Sequence, residues 1–197
     1  YSPEKLSEIP DNELLEKLFL HEHDRNNLCY SLEYEDKYII GGKISGVAYK
    51  YPIFKKLNGE WTAGSSSKPI ELTDNEALNE SRKIRELLIK AYNIIKSYNF
   101  NTLTDYINFY KKLEQEIREF LEPIWVRKYY HMMFPNLFIN FHKNELQEHI
   151  LLGLGIIPGN TYFERCGQLI EVNKNLGWYQ LDFSNACYKK FSGNIKS

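Results

Sequence analysis

Thr73-Asp74-Asn75-Glu76 opens the stretch that most constrains this fold, because a Thr followed three residues later by Glu can satisfy two orphan amides at a helix start. Behind it, Ala77, Ile84, Leu87, Leu88, Ala91, Ile94, Ile95 and Tyr98 recur at spacings of three and four, which puts them on one buried face of a long helix. A second helix is predicted from Thr102, with Leu103, Ile107, Tyr110, Leu113, Ile117, Phe120 and Leu121 as its apolar stripe. Asn99-Phe100-Asn101 between them predicts an antiparallel helical hairpin. Further helices are expected at Ile124 to Met133, Asn144 to Leu152, Tyr162 to Asn175 and Phe183 to Phe191, with Gly153, Gly155 and Gly177 as stop signals. Residues 73–197 therefore read as a helical part.

The first 72 residues carry a different pattern. Asp11, Glu13, Leu14, Leu15, Leu18 and Phe19 predict a short leading helix ending near His21, with Asp11 as its cap. From there the chain breaks into short runs suited to strands: Cys29 to Tyr34, Lys37 to Ile40, Val47 to Phe54 and Glu60 to Thr62. Asn58-Gly59 is a strong hairpin signal, and Ala63-Gly64-Ser65-Ser66-Ser67 reads as a connector. The expected fold class is α+β: a small antiparallel β-sheet region in the N-terminal third, residues 1–72, packed on the larger helical part as one compact unit.

A chain of 197 residues with 43% hydrophobic and 26% charged positions can bury a core without staples. Cys29, Cys166 and Cys187 are far apart and odd in number, so they read as reduced core residues rather than as a disulfide framework or zinc set. No run reaches the roughly 18 apolar residues of a membrane span, and no signal sequence opens the chain, so a cytoplasmic protein without membrane contact is expected. The first residue is Tyr1 rather than Met, which leads us to expect a longer parent chain. A net charge of -1 argues against a domain that coats nucleic acid by bulk electrostatics, yet leaves room for a local basic face.

The motifs whose spacing encodes chemistry are missing: the sequence has no phosphate-binding loop, dinucleotide fingerprint, zinc-protease helix or nucleophile elbow. His21-Glu22-His23-Asp24 gathers ligand types, but i and i+2 side chains diverge on a helix, so a solvated helix end accounts for them better than a metal. His131, His142 and His149 sit among apolar residues and read as packing histidines. Gly41-Gly42 with Gly46 is explained by a hairpin turn. Glu171-Val172-Asn173-Lys174 imitates a nuclease motif without the strand that chemistry needs. Gln168 to Phe191, broken at Gly177, has a helix-turn-helix outline, but Asn173 and Trp178 fit it poorly and helical-hairpin packing fits better. No catalytic, metal or cofactor site is assigned. What remains is basic and aromatic: Tyr49, Lys50, Lys55, Lys56 and Trp61 interleave stacking with phosphate-binding chemistry, and Arg127-Lys128 adds cations on a helix.

The run Trp125-Val126-Arg127-Lys128-Tyr129-Tyr130-His131-Met132-Met133-Phe134-Pro135-Asn136, with Phe138 and Phe141-His142, resembles a segment of McrB-type, modification-dependent restriction proteins. Leu154-Gly155-Ile156, Pro158, Tyr162, Arg165, Gly167-Gln168 and Gly177 fit the same pattern, so the resemblance spans about Trp125 to Phe191, with a fainter echo at Tyr30 to Gly64. It implies a region N-terminal to an AAA+ motor, acting in recognition of DNA or in linking recognition to the motor. The motor's nucleotide-binding signature is missing here, so hydrolysis is not carried over. The expected function is recognition of DNA, methylated DNA included, through Tyr49, Lys50, Lys55, Lys56, Trp61, Arg127 and Lys128, without catalysis or cofactor. The alternative is a helical adaptor that joins the motor to its nuclease partner without touching nucleic acid, and an exposed apolar patch would favour it.

Overall fold

The computed structural model describes residues 1–19, 26–35, 51–56, 58–65, 68–121 and 123–191. It is an α+β protein, mostly helical, with a three-stranded antiparallel sheet. The chain divides into two compact units between Lys96 and Ser97.

The first unit is organised by the helix that the capping signal predicts. Thr73 N–H donates to Glu76 Oε2 at 2.8 Å and Glu76 N–H returns to Thr73 Oγ1 at 3.3 Å. The helix they open is α4 (Asp74–Lys96), which buries Ala77, Ser81, Ile84, Leu88, Ala91 and Ile95 along one stripe. Two short helices, α1 (Pro3–Glu8) and α2 (Asp11–Leu18), pack on it. Asp11 does not cap α2; Pro10 holds that position, and the Asp11 carboxylate accepts from Arg82 Nη2 of α4 at 2.6 Å. The sheet also lies against α4, in the order β1 (Ile53–Lys55), β2 (Trp61–Ser65), β3 (Lys68–Leu72), with Phe54 opposite Thr62 and Ala63 opposite Ile70. The hairpin between β1 and β2 turns at Asn58-Gly59, where Gly59 takes φ +89°, the left-handed conformation that favours glycine. Because α4 packs with both the short helices and the sheet, the boundary falls after it rather than at 72/73.

Two further expectations need correction. Cys29 to Tyr34 is not a strand: α3 (Leu28–Tyr30) runs into a π-helical turn at Ser31–Glu35. Asn27 caps that start, accepting the Tyr30 N–H at 2.8 Å, and this local bond outweighs the strand propensity of the run. Ala63-Gly64-Ser65 is not a connector but the end of β2, paired with Lys68 to Ile70 of β3. The strand expected at Lys37 to Ile40, the glycines of 41–46 and residues 47–50 of the Val47 strand lie outside the described residues, as do His21 to Asp24.

The second unit is helical: α5 (Leu103–Ile117), a 3₁₀ turn at Arg118–Phe120, α6 (Ile124–Met133), α7 (Asn144–Gly153), α8 (Tyr162–Leu176) and α9 (Gln180–Phe191). The sequence pairs α5 with α4; in the structure α5 belongs to this unit and finds its main partner in α8. Gly167 of α8 permits the approach, since a Cβ there would stand 2.7 Å from the Tyr106 ring of α5. Phe100, Phe109, Phe138 and Phe163 meet mostly edge to face in the core, with ring centroids 4.8 to 6.3 Å apart. On α6 every residue from Trp125 to His131 is buried, the two cations included.

Candidate functional site

The positions proposed from sequence for nucleic-acid contact are divided between the units. Lys55, Lys56 and Trp61 stand on the sheet of the first unit, Arg127 and Lys128 on α6 of the second, and Tyr49 and Lys50 lie outside the described residues. Trp61 is 5% exposed, and its ring lies 5.2 Å from Lys55 Nζ, its partner across the β1–β2 register. An indole packed this way serves the core and offers no face to a base. Lys56 Nζ is 3.1 Å from Glu71 Oε1 and 3.6 Å from Glu60 Oε2, and the hydrogen bond to Glu71, together with both negative charges, raises its pKa.

Arg127 and Lys128 are buried as well, at 2% and 5% exposure. Arg127 Nη1 donates to His142 O at 2.9 Å and Asn144 Oδ1 at 3.0 Å, and its guanidinium lies 4.3 Å from the centroid of the Tyr162 ring. Asn144 Oδ1 also accepts from Arg165 Nη2 at 2.7 Å, so two buried guanidiniums from α6 and α8 converge on one amide oxygen at the start of α7. Arg165 further donates to Gln147 Oε1 and to Gly159 O, and it pairs with Glu148 at 3.3 Å. These bonds turn the arginines into fasteners between helices. Arg127-Lys128 carries the sequence pattern of a cationic face, but both side chains lie on a helix buried throughout Trp125 to His131.

His131 Nδ1 bonds Phe138 O, so that nitrogen carries the proton, and its ring stands edge-on to His142. Both are buried, which agrees with packing roles. His149 rests its ring against Phe191. No group of metal-ligating side chains occurs among the described residues. No described helix is long and apolar enough to cross a membrane.

The exposed chemistry lies elsewhere. Where α8 turns into α9, Leu176, Trp178, Tyr179 and Leu181 are exposed, Trp178 at 50% and Tyr179 at 84%, and Tyr188 follows further along α9. Gly177 ends α8 in the left-handed conformation at φ +66°, the backbone that lets the chain reverse there. Gln180 Nε2 donates to Phe138 O at 2.7 Å and fixes the start of α9. The aromatics are thus presented from a corner anchored on both sides. Sequence reading assigned this corner to helical-hairpin packing; its aromatic density beside a glycine stop was the signal that could have marked it.

Comparison of this chain with protein family models, curated proteins and solved structures finds no match.

Proposed function

We propose that this chain is a protein-docking region, a helical adaptor of the kind that joins a motor to its nuclease partner, with the α8–α9 corner as its contact surface. The observation that carries the reading is the exposure of Leu176, Trp178, Tyr179 and Leu181 within one helical corner. Trp and Tyr are the residue types enriched at the energetic centres of protein interfaces. Covering such side chains recovers roughly 25 cal/mol for each Å² of apolar surface removed from water. The near-neutral charge suits a protein partner better than a polyanion. The resemblance of residues 125–191 to McrB-type restriction proteins supplies the partner classes, an AAA+ motor region or a nuclease subunit.

The DNA-recognition reading retains Lys55, Lys56, Tyr49 and Lys50, without the stacking role for Trp61 and the phosphate roles for Arg127 and Lys128. One experiment separates the two readings. Anisotropy titrations with matched unmodified and methylated duplexes are run over several salt concentrations, beside fluorescence titrations with the motor region and the nuclease subunit of the parent system. Trp61 and Trp125 are buried, so a blue shift reports Trp178. The docking reading expects binding of one protein partner, a blue shift, loss of both in W178A/Y179A, and no salt-dependent duplex binding. Tight, modification-sensitive duplex binding that survives W178A/Y179A would overturn it and restore DNA recognition.

A further inference from the structure

Asn58-Gly59 is the only Asn-Gly pair in the chain, and it stands exposed at the tip of the β1–β2 hairpin. An asparagine carboxamide can be attacked by the nitrogen of the next peptide through a five-membered ring, at a rate set by how freely that nitrogen approaches. Gly59 has no Cβ to obstruct the approach, and nothing lies within 4 Å of the place a Cβ would take.

The hairpin also presents the other reactant. The Glu60 N–H donates to Asn58 Oδ1 at 3.2 Å, which folds the carboxamide forward along the chain over the Gly59 peptide. The same bond polarises the Asn58 Cγ=O group and faces the oxygen on which negative charge develops during attack. Asn58 Nδ2, the atom that must leave, donates to Glu60 Oε2 at 2.8 Å. One bond opposes the reaction: the Gly59 N–H donates to Lys56 O at 2.9 Å and has to be released first. Other asparagines are placed less well. Asn93, Asn108, Asn173 and Asn185 lie within α4, α5, α8 and α9, where the next amide belongs to the helical ladder and the next residue carries a Cβ.

We infer that Asn58-Gly59 is a self-modification site, at which the chain loses ammonia and gains a carboxylate without an enzyme. Gly59 N gives up its proton and bonds to Asn58 Cγ, the Cγ–Nδ2 bond breaks, and Nδ2 departs as ammonia with a proton in exchange. Water then opens the succinimide, at Cγ to give aspartate or at the main-chain carbonyl carbon to give isoaspartate. Water is the sole co-reactant, and nothing is oxidised or reduced. Either product sets a carboxylate against Glu60 where Asn58 had donated, beside a Lys56 already shared by Glu60 and Glu71. Isoaspartate also adds a methylene to the main chain inside the turn that sets the Lys55–Trp61 pairing. The hairpin therefore loosens as the protein ages. The site lies in the first unit and stands or falls apart from the α8–α9 corner.

The test holds the intact chain at neutral pH and physiological temperature and samples it over weeks. Peptide mapping by mass spectrometry reads the deamidation mass gain at each asparagine, and isoaspartyl methyltransferase with a labelled methyl donor reads isoaspartate. Asn58 is expected to convert faster than any other asparagine by about tenfold or more. Asn58→Gln, which keeps the carboxamide but needs a larger ring, loses both signals. The aged, more acidic form, separated by ion exchange, is expected to exchange the amide hydrogens of β1 and β2 faster than fresh protein, and Asn58→Gln protein held alongside is not. Conversion spread evenly over the asparagines, a faster site elsewhere, or methyl labelling that persists in Asn58→Gln would overturn the site. Unchanged exchange in the aged form would overturn the loosening.

Discussion

Replacing Asn144 by Ala tests whether the second unit is held together by its buried arginines. The Asn144 Oδ1 atom accepts from Arg127 Nη1 at 3.0 Å and from Arg165 Nη2 at 2.7 Å, and both arginines are less than 5% exposed. A hydrogen bond to a charged group contributes about 1.5–3 kcal/mol, and losing an acceptor shared by two such donors costs about 3–5 kcal/mol. Arg127 Nη1 retains His142 O, which places the expected loss toward the lower end. With a urea slope of about 1–3 kcal/mol/M, the midpoint moves down by roughly 2 M. Trp61 belongs to the first unit and Trp125 and Trp178 to the second, so tryptophan fluorescence in a Trp61→Phe background reports the second unit alone. Asn144→Asp supplies the control, because it keeps the oxygen and sets a negative charge between two cations; its midpoint is expected at or above that of the parent. An Ala midpoint shift below about 0.5 M, or an Asp variant as unstable as Ala, would refute the reasoning by showing that the guanidiniums are satisfied without this oxygen.

Gly167→Ala drives a methyl to 2.7 Å from the Tyr106 ring, and a loss of about 1–3 kcal/mol is expected from separation of α8 and α5, read as a lower urea midpoint. The hydrogen bond from Arg82, with further help from the charges of Arg82 and Arg85, holds the Asp11 carboxyl below the ordinary aspartate range. A depressed folded pKa gives stability that is present above the unfolded value and lost as pH falls through the folded one, so Asp11→Asn should lower the first unit's stability modestly at neutral pH, converge with the parent at low pH, and so flatten the acid side of its stability profile. Burial pushes the Cys187 thiol up to about 11 and raises Cys166 as well, so both should resist iodoacetamide at about pH 8 until urea is added; prompt native labelling of Cys166 would contradict its placement in the core.

The helices were legible because their signals are local and redundant. Thr73 and Glu76 form the reciprocal bonds that their spacing predicts, and Asp105 accepts the Thr102 N–H at the start of α5 in the same way. The bounds of α6 follow from Pro123 before it and Pro135 soon after it. The sheet was legible only where a turn announced it, at Asn58-Gly59. Lys68-Pro69-Ile70-Glu71-Leu72 was missed because an exposed edge strand carries no apolar alternation, and its lysine and proline are the residues that discourage further pairing. Cys29 to Tyr34 fits either period, and the Asn27 cap decided it.

The candidate site was less legible, for a reason of depth rather than of pattern. A charged pair such as Arg127-Lys128 carries no mark of burial when the whole helix is covered, because periodicity registers only the contrast between a wet face and a dry one. Trp61 likewise had the right chemistry for a base and the wrong depth. Trp178 shows the converse: an aromatic in a stretch read as helical-hairpin packing stands half in solvent.

The burial of α6 also decides where this protein can be cut. Tyr130 meets Phe163, Arg127 lies over Tyr162, and Tyr130 Oη bonds Phe120 O, so the covering of α6 comes from segments both before and after it in sequence. A fragment that stops short of α8 leaves two cations and several aromatics of one helix without their lid. A stable fragment of this unit therefore needs α8 together with the turn before α6, and limited proteolysis should leave none that ends short of α8.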